Sequence, residues 1–166
     1  ERQRVALLLI IDKSGSMALD PVESISKIDM AKEAVQLAAG ALLDGDEIAI
    51  LAFNDRQQWI MRLTRIEGQG DRDLINASVN ELDSDGGTEI YPALDVGFDE
   101  ILKSEADVRH IVLLSDGKSS TGTRDSYTKL IEEMQQSGTT LSTIAIGDDS
   151  DTDLLQYLAE AGGGRY

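Results

Sequence analysis

The sequence contains no cysteine and a single histidine, which removes several kinds of chemistry from consideration. Without cysteine, the chain can form no disulfide and offers no thiolate to a metal. The one histidine, His110, opens a predicted strand beside Arg109, where a structural role is favoured over a catalytic one. Ser14 and Ser16 therefore have no histidine as a general base, and the sequence has no Gly-x-Ser-x-Gly elbow, so a serine hydrolase is disfavoured.

Positive charge and long apolar runs are also scarce. The 166 residues include 15 lysines and arginines against 31 aspartates and glutamates, which gives a net charge of −16. This balance repels phosphate backbones and anionic membrane surfaces, so we expect no nucleic-acid partner. No apolar stretch approaches the roughly 20 residues of a membrane-spanning helix, so we expect no direct membrane insertion by this segment.

Aliphatic runs alternate along the chain with segments of helical periodicity. Strands are predicted at 5–11, 47–53, 58–63, 110–114 and 140–146, and helices at 26–43, 71–82, 91–102, 125–137 and 151–161. Continuous aliphatic runs are typical of parallel strands, whereas the short turn between the second and third strands requires an antiparallel hairpin. The predicted fold is therefore α/β: a doubly wound, mostly parallel, Rossmann-like sheet with one antiparallel edge strand and helices on both faces.

Two loops with oxygen-bearing side chains follow strands of this predicted sheet. Asp12, Ser14 and Ser16 follow the first strand, and Asp116 follows the fourth. Ligands of open parallel sheets bind outside the carboxyl ends of strands at a topological switch point, and right-handed crossovers would put both loops on one edge. Thr88, in a loop before a helix, could complete the ring. Five oxygen donors without imidazole or sulfur favour Mg²⁺, Mn²⁺ or Ca²⁺ over Zn²⁺ or copper.

Three residues beside these candidates carry further expectations. Gly15 is expected to let the backbone turn closely around an ion, so its substitution should disturb the site without removing a ligand. Lys13 and Lys118 flank Asp12 and Asp116 in sequence. They either place positive charge that helps recruit an acidic ligand or simply balance nearby carboxylates in solvent.

The motif Asp12-x-Ser14-x-Ser16, followed by Thr88 and then Asp116, resembles the metal-ion-dependent adhesion site of von Willebrand factor A-type (integrin I-like) domains. The resemblance covers the whole chain, so residues 1–166 are identified as one such domain. The runs 86–94 and 110–117 look particularly like bacterial, often membrane-anchored members. This suggests the soluble part of a membrane-anchored bacterial protein as one localisation, which the sequence leaves open.

The resemblance also implies roles for the individual residues. Ser14 and Ser16 would coordinate the metal directly, Thr88 directly or through water, and Asp12 and Asp116 largely through water. Because neutral hydroxyls only partly offset the metal's charge, the ion should seek an anionic ligand, for which an Asp or Glu carboxylate of a protein partner is the natural candidate.

Family members continue with a final strand and helix beyond the point where this chain ends. The domain is therefore expected to have been excised from a longer protein and to lack these two elements. Neither the resemblance nor the composition indicates an oligomeric state.

These features favour a divalent-metal-dependent protein-binding module that is not an enzyme. One alternative is a metal-assisted phosphohydrolase, since carboxylates and Mg²⁺ at strand ends also suit phosphoryl transfer. A haloacid-dehalogenase-like enzyme, however, would have Asp-x-Asp after the first strand, where this chain has Asp12-Lys13-Ser14. A second alternative is a structural metal clasp that joins the loops without bridging to a ligand.

Overall fold

The computed structural model describes residues 2–18, 25–117, 122–147 and 152–166. Within these residues the strands are β1 (Val5–Asp12), β2 (Glu47–Phe53), β3 (Gln57–Arg65), β4 (Val108–Ser115) and β5 (Thr139–Ala145). The helices are α1 (Lys27–Gly40), α2 (Gln69–Asn80), α3 (Ile90–Ile101), α4 (Arg124–Gln136) and α5 (Thr152–Ala161), with a 3-10 turn at Gly15–Ala18.

The described strands form one sheet in the order β3-β2-β1-β4-β5. The pairs β1–β2, β1–β4 and β4–β5 are parallel, and β2–β3 is antiparallel. The predicted fold class is confirmed, including the antiparallel edge strand. The strand order reverses direction between β1 and β4, which makes the gap beyond their carboxyl ends the topological switch point where open sheets bind ligands.

The sheet is covered on both faces because its central strands bury alternate residues on opposite sides. One face of the sheet is covered by α3, α4 and α5, and the other by α1 and α2. The β1 residues on the first face are Ala6, Leu8 and Ile10, and those on the second are Leu7, Leu9 and Ile11. Each fully buried Leu or Ile contributes about 1.5–3 kcal/mol of transfer free energy, so β1 anchors both halves of the core.

Helix α1 is capped by a serine side chain and ends earlier than its apolar pattern predicted. The Asp29 N–H donates to the Ser26 hydroxyl at 3.2 Å, so Ser26 is the N-cap. The prediction continued to residue 43, whereas α1 ends at Gly40. The Leu43 N–H instead donates to the Asp46 carboxylate at 2.9 Å, which turns the chain toward β2.

Helix α3 lies unusually close to β1 because it carries a glycine in its interior. A methyl group at Gly97 would come within 2.8 Å of Leu8 Cδ2 and 2.9 Å of Ile10 Cδ1. Such distances are shorter than van der Waals contact, so a larger side chain would require the buried ends of these two side chains, or the helix itself, to move. Gly97 thereby fixes the position of α3, whose first residue follows the predicted Thr88 loop.

The last residues of the chain run along the outer edge of β5. The Leu141 N–H donates to the Gly162 carbonyl at 3.1 Å, and the Thr143 N–H donates to the Arg165 carbonyl at 2.9 Å. The final strand and helix that the family resemblance implies beyond this segment stay a prediction. Across the described ranges, no helix has both the length and the apolar character needed to cross a bilayer.

Candidate metal centre

The loop after β1 gathers three of the predicted site residues in one short turn. Asp12 is the last residue of β1, and its Oδ1 accepts a hydrogen bond from the Ser14 N–H at 2.8 Å. The hydroxyl oxygens of Ser14 and Ser16 lie 3.1 Å apart. Asp12 and Ser14 are almost completely buried, at 0% and 1% exposure. The loop therefore places the buried Asp12 carboxylate and Ser14 hydroxyl next to the partly exposed hydroxyl of Ser16.

Ser115, which the sequence reasoning did not single out, ties this loop to the end of β4. Its hydroxyl donates to Asp12 Oδ2 at 2.7 Å and accepts from the Gly117 N–H at 2.9 Å. Asp116, between Ser115 and Gly117, is also fully buried. The serine thus fixes the Asp12 side chain and the backbone around Asp116 with one hydroxyl group.

Burial raises the pKa of Asp12 above its ordinary value, because a charged carboxylate loses its hydration there. Hydrogen bonds from Ser14 and Ser115 act in the opposite direction, and the nearby Asp116 carboxylate raises the pKa further. The net result is a raised pKa, which means that ionised Asp12 is less stable here than in water. A bound cation would favour the ionised form.

A second residue missed by sequence reasoning is Lys27, the first residue of α1. Its ammonium lies 3.6 Å from Asp116 Oδ2, and the two side chains are 1% and 0% exposed. A lysine in the first turn of a helix is disfavoured by the helix dipole, and burial of its charge adds a desolvation cost. Its unfavourable position at a helix start was the only signal in the sequence that could have identified it.

Thr88 lies in the loop between α2 and α3, residues 81–89, here called the Thr88 loop. This loop is hydrogen-bonded to the loop that follows β1. The Gly15 N–H donates to the Gly86 carbonyl, and the Asp85 N–H donates to the Lys13 carbonyl, both at 2.8 Å. Thr88 itself is 8% exposed and stands two residues before α3. The two backbone hydrogen bonds therefore hold the Thr88 loop next to the loop that follows β1.

Gly86, two residues before Thr88, adopts a backbone conformation that favours glycine. Gly86 has a φ of +80°, in the left-handed region, whereas Gly15 is not among the glycines with positive φ. A methyl group at Gly15 would lie 3.4 Å from the Gly86 carbonyl oxygen, an ordinary contact distance. The Gly15 N–H donates to that carbonyl, and the expectation that Gly15 lets the backbone turn closely around an ion stays a prediction.

Lys13 and His110 each contact a residue outside the predicted set of metal ligands. The Lys13 ammonium is 3.7 Å from Asp85 Oδ1, so it pairs with a carboxylate of its own chain. His110 lies near the amino end of β4, half-buried, with Nδ1 2.5 Å from the Thr140 hydroxyl, and burial lowers its pKa. Lys118, the other predicted flanking lysine, lies outside the described residues.

The donor set fits a hard divalent cation. The two hydroxyl oxygens of the β1 loop are 3.1 Å apart. Two adjacent ligands of an octahedral Mg²⁺, each about 2.1 Å from the ion, would lie about 3.0 Å apart. Among the described residues no group of three or more His, Cys, Asp or Glu side chains is placed to hold a metal, so hydroxyl oxygens would have to supply part of the coordination.

One known protein family matches almost the whole chain. A family model of the von Willebrand factor type A domain matches residues 5–166. An uncharacterised protein of Synechocystis sp. is 31% identical over 159 residues, which is 95% of this chain and 36% of the relative. The chain thus spans only about a third of that relative's length.

Solved structures agree with this match. A von Willebrand factor type A structure from Catenulispora acidiphila superimposes with a TM-score of 0.83 at 26% identity, over 98% of this chain and 38% of the other. A manganese-loaded TRAP protein of Plasmodium vivax has the same fold, with a TM-score of 0.74 at 20% identity over 95% of this chain and 63% of the other.

Von Willebrand factor type A domains are generally metal-dependent adhesion or protein-interaction modules, and they are typically not enzymes. They commonly bind divalent metals. With its five-stranded mixed sheet, its oxygen-rich switch-point loops and a family match over almost its full length, this chain belongs to the von Willebrand factor type A domain family.

Proposed function

We propose that this domain binds a protein partner through a divalent cation held by Asp12, Ser14, Ser16, Thr88 and Asp116. The observation that carries the proposal is the pair of hydroxyls 3.1 Å apart beside the fully buried Asp12 carboxylate, at the switch point of the sheet. Their oxygen chemistry suits Mg²⁺, Mn²⁺ or Ca²⁺. The metal found in the Plasmodium vivax TRAP structure, manganese, belongs to the same class of ions.

The residues divide into two groups by what they would do. The Ser14 and Ser16 hydroxyls would bind the cation directly, with Thr88 from the neighbouring loop. Both Asp12 oxygens already accept hydrogen bonds, from the Ser14 N–H and the Ser115 hydroxyl. Asp12 would therefore act with its remaining lone pairs, largely through water, and the family resemblance implies the same role for Asp116.

The charges at the site favour an anionic ligand from outside the chain. Asp12 and Asp116 supply two negative charges, and Lys27 beside Asp116 offsets one of them. A divalent cation would leave the site with one net positive charge in a buried setting, where an unbalanced charge is costly. An Asp or Glu carboxylate of a partner would cancel that charge, while the bound metal supplies the electrostatic attraction that recruits it.

The test is to select binders from a displayed peptide library in Mg²⁺ and to measure their affinity by calorimetry. We expect binding to be lost in EDTA, lost with the Asp12→Ala domain, and lost when the acidic residue of the peptide is changed to its amide. Asp99→Ala is the matched control, because Asp99 is exposed on α3. Binders that keep their affinity in EDTA and with Asp12→Ala would contradict the proposal.

The same samples separate this function from a structural clasp. Thermal unfolding with and without metal measures how much the cation stabilises the fold. If metal raises the melting temperature strongly and every selected binder is insensitive to EDTA, the cation joins the loops without bridging to a partner.

A further inference from the structure

Lys27 is buried in a place where its charge is unfavourable for two independent reasons. Its side chain is 1% exposed, which removes the ammonium from water. It also occupies the first position of α1, where the helix dipole presents partial positive charge. A neutral side chain of similar length would avoid both costs, so the charge must be offset by its surroundings.

The surroundings that offset it belong to the candidate metal centre. The ammonium lies 3.6 Å from Asp116 Oδ2, and Asp116 is fully buried. Asp116 in turn acts electrostatically on Asp12, whose Oδ2 is fixed by Ser115. Lys27 is therefore buried beside Asp116, and it would share that carboxylate with a cation bound at the hydroxyls.

We propose that Lys27 is a positioning residue of the metal centre, which holds Asp116 in place when no metal is bound and lowers the affinity for the metal. This rests on the proposed function, because it assumes that a cation binds beside Asp116. With its ammonium in place, the metal-free site keeps its carboxylate arrangement without a cation. The same positive charge repels a bound cation, so the domain binds its metal less tightly than the carboxylates alone would allow.

A purely structural lysine makes the opposite prediction for metal binding. If Lys27 only held the loops together, its removal would loosen the site and weaken both the fold and the metal. If it offsets charge, its removal destabilises the metal-free fold and strengthens metal binding. The two effects then have opposite signs, which no general loss of structure produces.

The experiment compares Lys27→Met, which keeps the length and removes the charge, with Lys27→Arg, which keeps the charge. Mn²⁺ affinity is measured by calorimetry and metal-free stability by thermal unfolding in EDTA. For Lys27→Met we expect a lower melting temperature in EDTA and an Mn²⁺ affinity at least about tenfold higher, since one charge is removed close to a dication. Lys27→Arg should stay within about threefold of the wild-type affinity because its charge is retained. An unchanged or weaker Mn²⁺ affinity in folded Lys27→Met would overturn the proposal.

A double variant tests the pairing of Lys27 with Asp116 even if Lys27→Met alone does not fold. Breaking a buried ion pair is strongly destabilising, whereas replacing both partners by neutral groups is often tolerated. Lys27→Met with Asp116→Asn should therefore melt at a higher temperature in EDTA than either single variant. A double variant that is no more stable than the singles would overturn the pairing. Wild-type protein that binds no Mn²⁺ would instead refute the proposed function, and the EDTA comparison would still test the pairing by itself.

Discussion

A buried aspartate lies at each end of the parallel strands: Asp46 at their amino ends, here called the amino edge, and Asp12 at their carboxyl ends, here called the carboxyl edge. The two carboxylates differ in their hydrogen-bond partners and in the charges beside them. At the amino edge, Asp46 accepts hydrogen bonds from the Arg2 guanidinium at 2.7 Å, the Val5 N–H at 3.0 Å and the Leu43 N–H at 2.9 Å. Burial raises the pKa of Asp46, but these hydrogen bonds and the charge of Arg2 more than reverse this effect, so its pKa lies below the ordinary value. The amino-edge carboxylate is stabilised by its own chain.

At the carboxyl edge, the pKa of Asp12 is shifted in the opposite direction. It accepts from Ser14 and Ser115, but burial and the neighbouring Asp116 dominate and its pKa is raised. A carboxylate that the fold stabilises is expected at a structural site, and one that the fold leaves under-stabilised is expected where a ligand supplies the missing interaction. The comparison predicts that Asp46 serves stability and that Asp12 serves binding.

The largest effect should follow from removing the amino-edge carboxylate. Asp46→Ala leaves the Val5 and Leu43 N–H groups without their acceptor and removes the ion pair with Arg2. We expect the free energy of unfolding to fall by about 3 kcal/mol, measured by urea denaturation at neutral pH. Asp99→Ala, on the exposed side of α3, is the control and should change it by less than about 0.5 kcal/mol. A loss for Asp46→Ala no larger than that of the control would remove the distinction between the two edges.

The pH dependence of stability should differ in sign between the two aspartates. Because the pKa of Asp46 is lowered, its contribution is present above the unfolded value of about 3.9 and is lost as the pH falls through the lower folded value. Because the pKa of Asp12 is raised, its ionisation destabilises the metal-free fold as the pH rises from that unfolded value through the folded one.

Urea denaturation in EDTA at a series of pH values measures both effects against matched asparagine variants. At pH 7, Asp46→Asn should be less stable than wild type, and Asp12→Asn should be at least as stable. The Asp46→Asn deficit should shrink as the pH is lowered below about 4. A deficit for Asp12→Asn as large as that of Asp46→Asn would show that both carboxylates are structural.

A smaller effect is expected from the glycines of the carboxyl edge. Gly86→Ala must adopt a φ of +80° and would place its methyl group 3.0 Å from Asn54 Nδ2, so it should cost about 1–2 kcal/mol. Gly15→Ala meets only an ordinary contact with Gly86 and should cost less than about 0.5 kcal/mol. Thermal unfolding in EDTA ranks the two variants, and the reverse ranking would mean that the Thr88 loop is held differently.

The smallest effect is expected from Lys13, for which the sequence left two interpretations open. Its ammonium pairs at 3.7 Å with Asp85, whose side chain is 76% exposed whereas that of Lys13 is 18% exposed, and a pair with one partner largely in solvent contributes little. Lys13→Met should therefore change the free energy of unfolding by less than about 0.5 kcal/mol and the affinity for selected acidic peptides by less than about threefold. A larger loss of peptide affinity would favour recruitment of the ligand by Lys13.

Much of the architecture could be predicted from the sequence because strand and helix periods are local signals. The aliphatic run of β1 and the short hairpin after β2 predicted a mostly parallel sheet with one antiparallel edge, and both are present. Element ends were less accurate because tertiary hydrogen bonds set them. The Asp46 carboxylate takes the Leu43 N–H away from α1, and the Asp71 carboxylate accepts the Glu67 N–H before α2 begins.

The places of the candidate oxygen donors in the fold could be predicted from the sequence, but the groups around them could not, and metal binding by these donors stays a prediction. Asp12, Ser14, Ser16 and Asp116 were found through their positions after strands, which the parallel topology brings to one edge. Ser115 and Lys27 were missed because their roles depend on partners distant in sequence, Asp12 in one case and Asp116 in the other. Only the unfavourable place of Lys27 at a helix start was visible beforehand.

Metal binding at the carboxyl edge can be measured by Mn²⁺ titration followed by electron paramagnetic resonance. We expect one tightly bound Mn²⁺ per wild-type chain, lost in Ser14→Ala with Ser16→Ala, and retained in the control Asp99→Ala. It further predicts that Mg²⁺ displaces the bound Mn²⁺. A wild-type chain that leaves all the Mn²⁺ free, or a serine double variant that binds it as tightly as wild type, would contradict the assignment of the carboxyl edge as a metal centre.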